Sequence, residues 1–449
     1  MATIELSRED KRAAELIHQA DIVVGVSSYN NARTIGHVVR AICTGLAKYY
    51  PQLTGVIVNS DGGSVDKTRD EVLSARVESS QVLFVPTPLS PLHRLSLPYH
   101  GLPGKGSALR LIFKIAAELQ AKACAVVDAD LRSITPEWID LLIRPVLFAG
   151  YDFVAPYYHR HKYDGTITNS IVYPLTRSLY GIQLRQSIGG EFGFSPRLVS
   201  RYLRRDDWET DIAGFGIDIW MTTIAVAEGF RVCQSFLGAK VHDAKDPSSD
   251  LSLMLQQVTG SVFTLMQAYE AVWQSRTASR AAELFGFRFD VGLDPIEVET
   301  QRMLKTFGNG CRDLPDIWAL SLQPETHKAV MDLSRQLCTG AQRFRLSDEL
   351  WARVILDFCC AYRRNPLTKG QILGSLTPLY LARVASFVEE TRTLIANDVE
   401  EKIEGLCLQF ERLKPYLIAQ WNGESTQVAS SEPVLPVDRR PQERAGMEV

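Results

Sequence analysis

Residues 123–130 read Ala-Cys-Ala-Val-Val-Asp-Ala-Asp. The apolar run predicts a buried strand, and Asp128 and Asp130 follow where this strand ends. Side chains at positions i and i+2 of an extended chain point to the same side, so both carboxylates can reach one point in space. Such oxygen ligands suit Mg2+ or Mn2+ that carries a diphosphate. Because two acids around a small residue are also common in surface turns, the motif needs support from the rest of the chain.

Short apolar runs alternate with amphipathic helical patterns from about residue 21 to residue 240. This alternation predicts an α/β fold with a mainly parallel sheet and helices on both faces. Ligands bind such sheets beyond the carboxyl ends of the strands, where the polar turns 27–31, 60–66 and 128–130 fall. The predicted strands are 22–26, 55–59, 82–85, 123–127 and 231–237, and the predicted helices are 34–49, a helix after 64, 107–119 and 218–228.

The pattern changes after about residue 250 to long helical stretches with few strand signals, as at 251–275, 350–362 and 381–416. The last residues are rich in Ser, Pro, Glu and Arg and lack aromatic residues, which predicts disorder. We therefore predict four parts of the chain. They are an N-terminal helical extension at 1–20, an α/β catalytic domain at 21–250, an α-helical region at 251–422 and a disordered tail at 423–449.

Composition argues against several classes of partner. The chain has 449 residues and a formal net charge of -3, so nothing in its charge predicts binding to nucleic acid or anionic lipid. No run approaches the ~18 uninterrupted apolar residues of a membrane span, and the first twenty residues lack a signal-peptide core. The eight cysteines form no CxxC pair and lie mostly in apolar stretches, which favours reduced core thiols. These features predict a soluble, cytoplasmic protein without a membrane partner.

Two glycine-containing turns can bind a nucleotide. In the turn 60–66, Asp61 can hold a base or a ribose, although an ordinary Asp-Gly turn explains the same residues. Pro103-Gly104-Lys105-Gly106 precedes a predicted helix, and a glycine-rich backbone, a lysine and a helix N-terminus together form an anion site. A plain loop with a solvated lysine is the alternative. The preceding residues 86–102 contain four prolines and predict a loop that can serve as a flap.

Three single residues complete the set of candidates. Glu191 follows two glycines that let a ligand approach the backbone. This residue is either a carboxylate placed near a sugar or a structural glutamate that is buried or caps a helix. Asp218 lies in the first turn of a predicted helix and is either a cap or a functional carboxylate. His242 follows the last predicted strand, where it can complete a metal site begun by Asp130, although a lone histidine is usually structural.

Taken in order, these motifs resemble the GT-A glycosyltransferases. Within that class they resemble the family of glucosyl-3-phosphoglycerate synthase, mannosyl-3-phosphoglycerate synthase and glucosylglycerate synthase, over residues 21–246. The resemblance implies a GT-A sheet of the Rossmann-like type and a retaining, Mg2+- or Mn2+-dependent soluble enzyme that often forms a homodimer. It also implies a nucleoside-diphosphate sugar and a small hydroxy acid as the two substrates.

The same resemblance suggests a role for each candidate residue. Asp130 and His242 correspond to the metal ligands. Among donor contacts, Asp128 corresponds to the ribose contact, Lys105 with Gly104 to the diphosphate site and Asp61 to the nucleoside contact. Glu191 and Asp218 correspond to sugar-hydroxyl contacts. Together with Lys105 they are the candidate catalytic residues.

Two segments depart from the family. Relatives have a proline-containing segment with an acidic pair after the first strand, whereas this chain has Ser27-Ser28-Tyr29-Asn30-Asn31. Ser27, Tyr29 and Asn31 are therefore expected to contact the nucleotide through hydroxyl and amide groups. The phosphoglycerate enzymes have a Gly-Arg-x-Thr segment, whereas this chain has Gly165-Thr166-Ile167-Thr168, so that Gly165, Thr166 and Thr168 are the expected acceptor contacts.

The sequence thus predicts the transfer of a hexose, with glucose as the first choice, to a small hydroxy acid such as glycerate. A synthase of glucosyl- or mannosyl-3-phosphoglycerate remains an alternative. A transferase for a glycan or lipid-linked acceptor would favour a membrane helix or a basic amphipathic surface, and neither is evident in the sequence. A nucleotidyltransferase would place its glycine-lysine loop just after the first strand. A sugar-nucleotide sensor without turnover is the non-enzyme alternative.

Overall fold

The computed structural model of the protein describes residues 15, 17–75, 104–208, 210, 212, 214–241, 251–289, 296–339 and 344–423, and it describes 92–98 and 336–339 by their backbone alone. Within these residues lie ten strands. They are β1 (Ile22–Ser28), β2 (Gly55–Asp61), β3 (Leu92–Pro98), β4 (Ala123–Asp128), β5 (Phe153–His159), β6 (Ile182–Gln183), β7 (Phe192–Phe194), β8 (Val232–Ala239), β9 (Arg280–Ala281) and β10 (Glu283–Phe285).

Eight of these strands form one sheet in the order β10-β8-β5-β7-β4-β1-β2-β3. Strand β7 runs antiparallel to β4 and β5, and the other pairings are parallel. The register pairs Ser27 of β1 with Asp128 of β4, and Ser28 with Asp61 of β2. The carboxyl ends of three neighbouring strands therefore meet at one edge of the sheet, as the polar turns after these strands predicted.

Helices cover both faces of this sheet and continue after it. One π-helical turn, Thr168–Val172, directly precedes the fifth helix. The helices are α1 (Ile35–Tyr49), α2 (Thr68–Ser74), α3 (Lys105–Glu118), α4 (Pro136–Ala149), α5 (Tyr173–Tyr180), α6 (Pro196–Leu203), α7 (Ile217–Ala227), α8 (Ser252–Ala268), α9 (Glu270–Gln274), α10 (Thr300–Asp313), α11 (Pro315–Ser321), α12 (Pro324–Thr339), α13 (Asp348–Arg364), α14 (Lys369–Thr391), α15 (Ala396–Arg412) and α16 (Lys414–Asn422).

The side chains of the central strands point alternately to the two faces of the sheet, so a buried layer lies on each face. In β4, Cys124 and Val126 pack with α3, α6 and α7, whereas Ala123, Ala125 and Val127 pack with α1 and α4 on the opposite face. Such strands are apolar on both faces because helices exclude water from each side. The prediction of an α/β sheet of the GT-A type with helices on both faces and a helical C-terminal region is confirmed.

The ends of the sheet differ from the sequence-based expectation. Residues 92–98, within the proline-rich stretch predicted to be a loop, form the edge strand β3 in parallel register with β2. Pro98 ends that strand, and an edge strand tolerates proline because one side of its backbone needs no partner. The strand predicted at 82–85 lies outside the described residues. At the other edge, β10 joins β8 although it comes after residue 250, so the sheet does not end where the catalytic domain was predicted to end.

The helical region packs directly against the segment between β5 and β6. Tyr163, Ile167 and Ile171 share one buried cluster with residues of α13 and α14. The helical stretches predicted at 251–275 and 381–416 consist of two and three helices respectively. The cysteines whose surroundings are described are buried and free, which agrees with reduced core thiols. No helix in the described part of the chain is long and apolar enough to cross a membrane.

Candidate functional site

A cavity of about 280 Å3 lies at the carboxyl ends of β1 and β4. Its wall combines the turn after β4 with the segment after β5, the loop before β7 and the first residues of α3 and α7. Several of the residues predicted from the sequence line it. They are Ser27, Asn31, Lys105, Asp128, Asp130, Gly165, Thr166, Thr168 and Asp218.

Lys105 is the first residue of α3 and enters the cavity at this helix N-terminus. Its Nζ atom lies 2.8 Å from an Asp128 carboxylate oxygen and 3.2 Å from an Asp218 oxygen. Gly104 precedes the helix as its N-cap residue. The predicted combination of a lysine, a glycine and a helix N-terminus is therefore present, and it is anchored by two carboxylates.

A buried lysine that also belongs to the site, Lys240, was missed by the sequence analysis. Its Nζ atom donates to Asp128 at 3.0 Å, to both Glu191 oxygens at 2.9 and 3.0 Å, and to the Gly189 carbonyl at 2.7 Å. Its position directly after the apolar strand β8 was the available signal. We refer to Lys105, Asp128, Glu191, Asp218 and Lys240 as the charge cluster.

The charge cluster holds three carboxylates and two ammonium groups in a buried environment. Burial raises the pKa of Asp128, but the attraction of Lys105 and Lys240 is larger in sum and sets this pKa well below its ordinary value. Burial raises the pKa of Glu191 well above its ordinary value in spite of Lys240, and burial likewise raises the pKa of Asp218 in spite of Lys105. Asp128 is thus the carboxylate that stays ionised most readily.

Glu191 differs from the other members because it does not line the cavity. Its side chain is 0% exposed, and its carboxylate bonds to Lys240. A carboxylate in this position reaches a ligand only through the lysine in front of it. The contact of Glu191 with a sugar stays a prediction, and the lining of the cavity does not support a direct one.

Gly190 is required by the close approach of Asp128. Its φ is +98°, and a Cβ atom at this position would lie 2.2 Å from an Asp128 carboxylate oxygen and 3.1 Å from Lys240 Nζ. Any other residue would displace the carboxylate or strain the backbone. The glycine pair was expected to admit a ligand, and the structure uses Gly190 to admit the side chain of Asp128.

The residues expected to bind a metal are only partly described. Asp130 is half-buried and lines the cavity, and no protein cation pairs with its carboxylate among the described residues. His242 lies outside the described residues. No three potential metal-binding side chains come together in the part of the chain that the structure describes. Asp130 nevertheless fits a hard divalent ion, because this carboxylate residue lines the cavity while both lysines are engaged by Asp128 and its neighbours.

The nucleotide contacts expected after β1 and β2 divide into two groups. Ser27 and Asn31 line the cavity. Tyr29 is 63% exposed and does not line it. Asp61 accepts hydrogen bonds from Ser28 and from the Ser64 hydroxyl and backbone, so its carboxylate stabilises its own turn. The donor-binding roles of Tyr29 and Asp61 remain predictions without support from the cavity.

The expected acceptor segment forms another part of the cavity wall. Thr166 is buried, and its hydroxyl lies 2.5 Å from the hydroxyl of Tyr380 in α14. Arg160 lines the cavity and pairs with Asp164 at 3.2 Å. Arg185 is committed elsewhere, because its guanidinium forms two hydrogen bonds to Glu400.

A family model described as mannosylglycerate synthase, GT domain, matches residues 91–267. This segment contains every residue of the charge cluster together with the acceptor segment. Residues 91–267 are therefore similar to this glycosyltransferase domain. Among curated proteins, no sequence matches the chain.

Solved structures of glucosyl-3-phosphoglycerate synthase from Mycobacterium tuberculosis are similar to this chain at low identity. The complex with Mg2+ and uridine diphosphate is 20% identical with a TM-score of 0.41, and the match covers 58% of this chain and 84% of that chain. The complex with Mn2+, uridine-diphosphate-glucose and phosphoglyceric acid has an identity of 20%, a TM-score of 0.41 and coverages of 58% and 84%. The complex with phosphoglyceric acid is 19% identical, with a TM-score of 0.39 and coverages of 60% and 86%.

Proposed function

We propose that this protein is a retaining, metal-dependent hexosyltransferase that moves glucose from a nucleoside-diphosphate sugar to glycerate or a similar small hydroxy acid. The observation that carries the proposal is the charge cluster, built around Lys105 at the N-terminus of α3, beside Asp130 in one cavity. The match of residues 91–267 to a glycosyltransferase domain supports the same reaction class.

The donor diphosphate fits the side of the cavity formed by Lys105 and Asp130. A helix N-terminus and a lysine both favour phosphate oxygens. Asp130, with His242, would hold the divalent ion, which neutralises charge on the departing diphosphate. Lys105 can donate to a phosphate oxygen while its ammonium group stays beside Asp128 and Asp218, and the Asp218 carboxylate keeps lone pairs for a sugar hydroxyl.

Retention of configuration requires either a carboxylate nucleophile or attack from the face that the diphosphate leaves. Glu191 is buried behind Lys240 and does not line the cavity, which argues against it as a nucleophile. Asp218 lines the cavity but is held by Lys105. We therefore favour front-face attack, in which the leaving phosphate oxygen accepts the proton of the acceptor hydroxyl and Asp218 orients the sugar.

A panel of substrates tests the proposal. Uridine-, guanosine- and adenosine-diphosphate sugars, with glucose or mannose, are assayed against glycerate, 3-phosphoglycerate and glucosylglycerate with Mg2+ or Mn2+. Product formation with retained anomeric configuration supports the proposal. Donor binding without transfer or hydrolysis would instead favour the sensor, and a product only with lipid or glycan acceptors would replace the small acid.

We predict that Lys105→Ala weakens donor binding more than acceptor binding. A desolvated lysine–diphosphate contact is charge-assisted, so its loss is expected to cost about 1.5–3 kcal/mol of donor binding free energy. Calorimetry with the nucleoside diphosphate measures this loss. Lys48→Ala is the matched control, because Lys48 forms an exposed ion pair with Glu137 on the protein surface. Unchanged donor affinity in Lys105→Ala would remove the lysine from the phosphate site.

We also predict that glycerate is preferred to 3-phosphoglycerate. A phosphate monoester is best held by a guanidinium fork, and Thr166 offers one neutral hydroxyl that is already bonded to Tyr380. The phosphorylated acid should therefore lose about 1.5–3 kcal/mol for each missing charged hydrogen bond. The ratio of the two kcat/KM values decides the question.

Arg160 is the residue that could bind the phosphate of 3-phosphoglycerate in place of the family arginine, which would contradict the predicted preference for glycerate. Among the neighbouring basic residues 160–162 and 185, Arg160 is the one that lines the cavity, and Asp164 already neutralises it in part. A clear preference for 3-phosphoglycerate that disappears in Arg160→Met would show that Arg160 replaces the family arginine. If the Arg160→Met variant keeps the same preference for 3-phosphoglycerate, the phosphate is bound by other residues.

A further inference from the structure

We refer to residues 160–170, which contain the expected acceptor contacts, as the acceptor wall, and this wall is bonded to the helical C-terminal region at several points. Lys162 donates to the Thr391 carbonyl at 2.7 Å, at the end of α14. The indole of Trp351 in α13 donates to the Ser170 carbonyl at 2.7 Å within the π turn. A π turn often occurs at functional sites, where an extra residue redirects the side chains before it. The helical region is therefore in direct contact with the segment expected to bind the acceptor.

One of these contacts reaches the cavity itself. The hydroxyls of Thr166 and Tyr380 lie 2.5 Å apart, and either atom can be the donor. Thr166 is 4% exposed and lines the cavity, whereas Tyr380 is 1% exposed and lies behind it. Among the described residues, neither hydroxyl has another hydrogen-bond partner. The pair therefore has two arrangements, which differ in which hydroxyl donates.

An anion in the cavity would select one of the two arrangements. When Tyr380 donates to Thr166, the Thr166 proton is free to point into the cavity and to donate to an acceptor carboxylate. Burial raises the pKa of Tyr380, so the phenol keeps its proton and remains a donor. Hydrogen bonds arranged in such a chain strengthen one another in a buried environment.

We propose that Tyr380, in the helical C-terminal region, is a positioning residue that orients the Thr166 hydroxyl toward the carboxylate of the acceptor. This inference rests on the proposed function, because it takes the small hydroxy acid as the ligand of this wall. It gives the helical region a part in acceptor recognition.

Tyr380→Phe tests the inference because it keeps the ring and removes only the hydroxyl. We expect the Kd and KM for glycerate to rise about threefold to tenfold, which is the range for one neutral hydrogen bond, with donor KM unchanged. Titration calorimetry with glycerate in the presence of uridine diphosphate gives the Kd without turnover. Tyr362→Phe is the matched control, since Tyr362 pairs its hydroxyl with that of Thr264 at 3.1 Å away from the cavity.

A double-mutant cycle separates positioning from packing. If Tyr380 acts through Thr166, then Tyr380→Phe in a Thr166→Val background should produce no further loss of glycerate affinity. An equal loss in both backgrounds, or no loss in either, would overturn the inference while leaving the transferase proposal intact. Failure of the wild-type protein to bind glycerate would overturn the proposed acceptor and this inference together.

Discussion

Asp130→Asn is expected to lower kcat/KM by about 10²- to 10³-fold. A bound divalent ion stabilises the charge of a departing diphosphate by several kcal/mol, and each ~1.4 kcal/mol corresponds to a tenfold change in rate. The substituted amide would keep the size of the side chain but lose the charge that holds the ion. The fold should persist, because Asp130 follows the end of β4 and forms no ion pair with other described residues.

Titration of Mn2+ in the presence of uridine diphosphate gives a second measurement that does not depend on turnover. The wild-type protein is expected to bind the ion, and the Asp130→Asn variant to bind it far more weakly. Asp21→Asn is the matched control, because Asp21 pairs with Lys122 just before β1, at the opposite end of the sheet. Full activity of Asp130→Asn in the presence of a chelator would contradict the metal assignment.

Lys240→Met is expected to lower the free energy of unfolding by about 3–5 kcal/mol. Removing one partner of a buried ion pair leaves an uncompensated buried charge, and Lys240 is the partner of both Asp128 and Glu191. The lysine side chain is 4% exposed and the Glu191 side chain is 0% exposed, so the two charged groups depend mainly on each other rather than on solvent. Chemical denaturation measures the effect, and the dependence of the unfolding free energy on denaturant concentration is compared between the variants.

A double variant shows whether the Glu191 carboxylate causes the loss of stability in Lys240→Met. Lys240→Met combined with Glu191→Gln is expected to recover part of the stability, because a neutral amide needs no counter-charge in a buried site. Lys122→Met is the surface control, since Lys122 is 60% exposed in its pair with Asp21 and should change stability little. If Lys240→Met were as stable as the wild-type protein, the charge cluster would not be held together by this lysine.

Local patterns predicted much of the fold and part of the site. The strand at 123–127 was predicted from its apolar run, and it is β4 with one residue added. The face of the first helix that contains Ile35, Val38 and Ile42 is buried as its spacing predicted. Such patterns succeed because burial on one face of a helix or both faces of a strand leaves a direct trace in the sequence.

Residues that act through long-range contacts left weaker signals. Lys240 follows a strand as a single charged residue, and only the approach of Asp128 and Glu191 shows that it is buried. Tyr380 lies in a long buried helix where an aromatic residue is ordinary core material, and its partner Thr166 is distant in the chain. Strand β3 formed within a proline-rich stretch because β2 offered it an edge.

The sequence by itself determined the sheet class, the position of the acid pair and the set of polar turns at one edge of the sheet. These follow from short-range periodicity, because each strand or helix reports its own burial. Only the tertiary structure decided which charges neutralise one another, that Glu191 stays behind Lys240, and that the helical region contacts the acceptor wall through Tyr380. The reason is physical: a buried charge or hydroxyl is defined by the partner that the fold brings to it, and that partner is distant in the sequence.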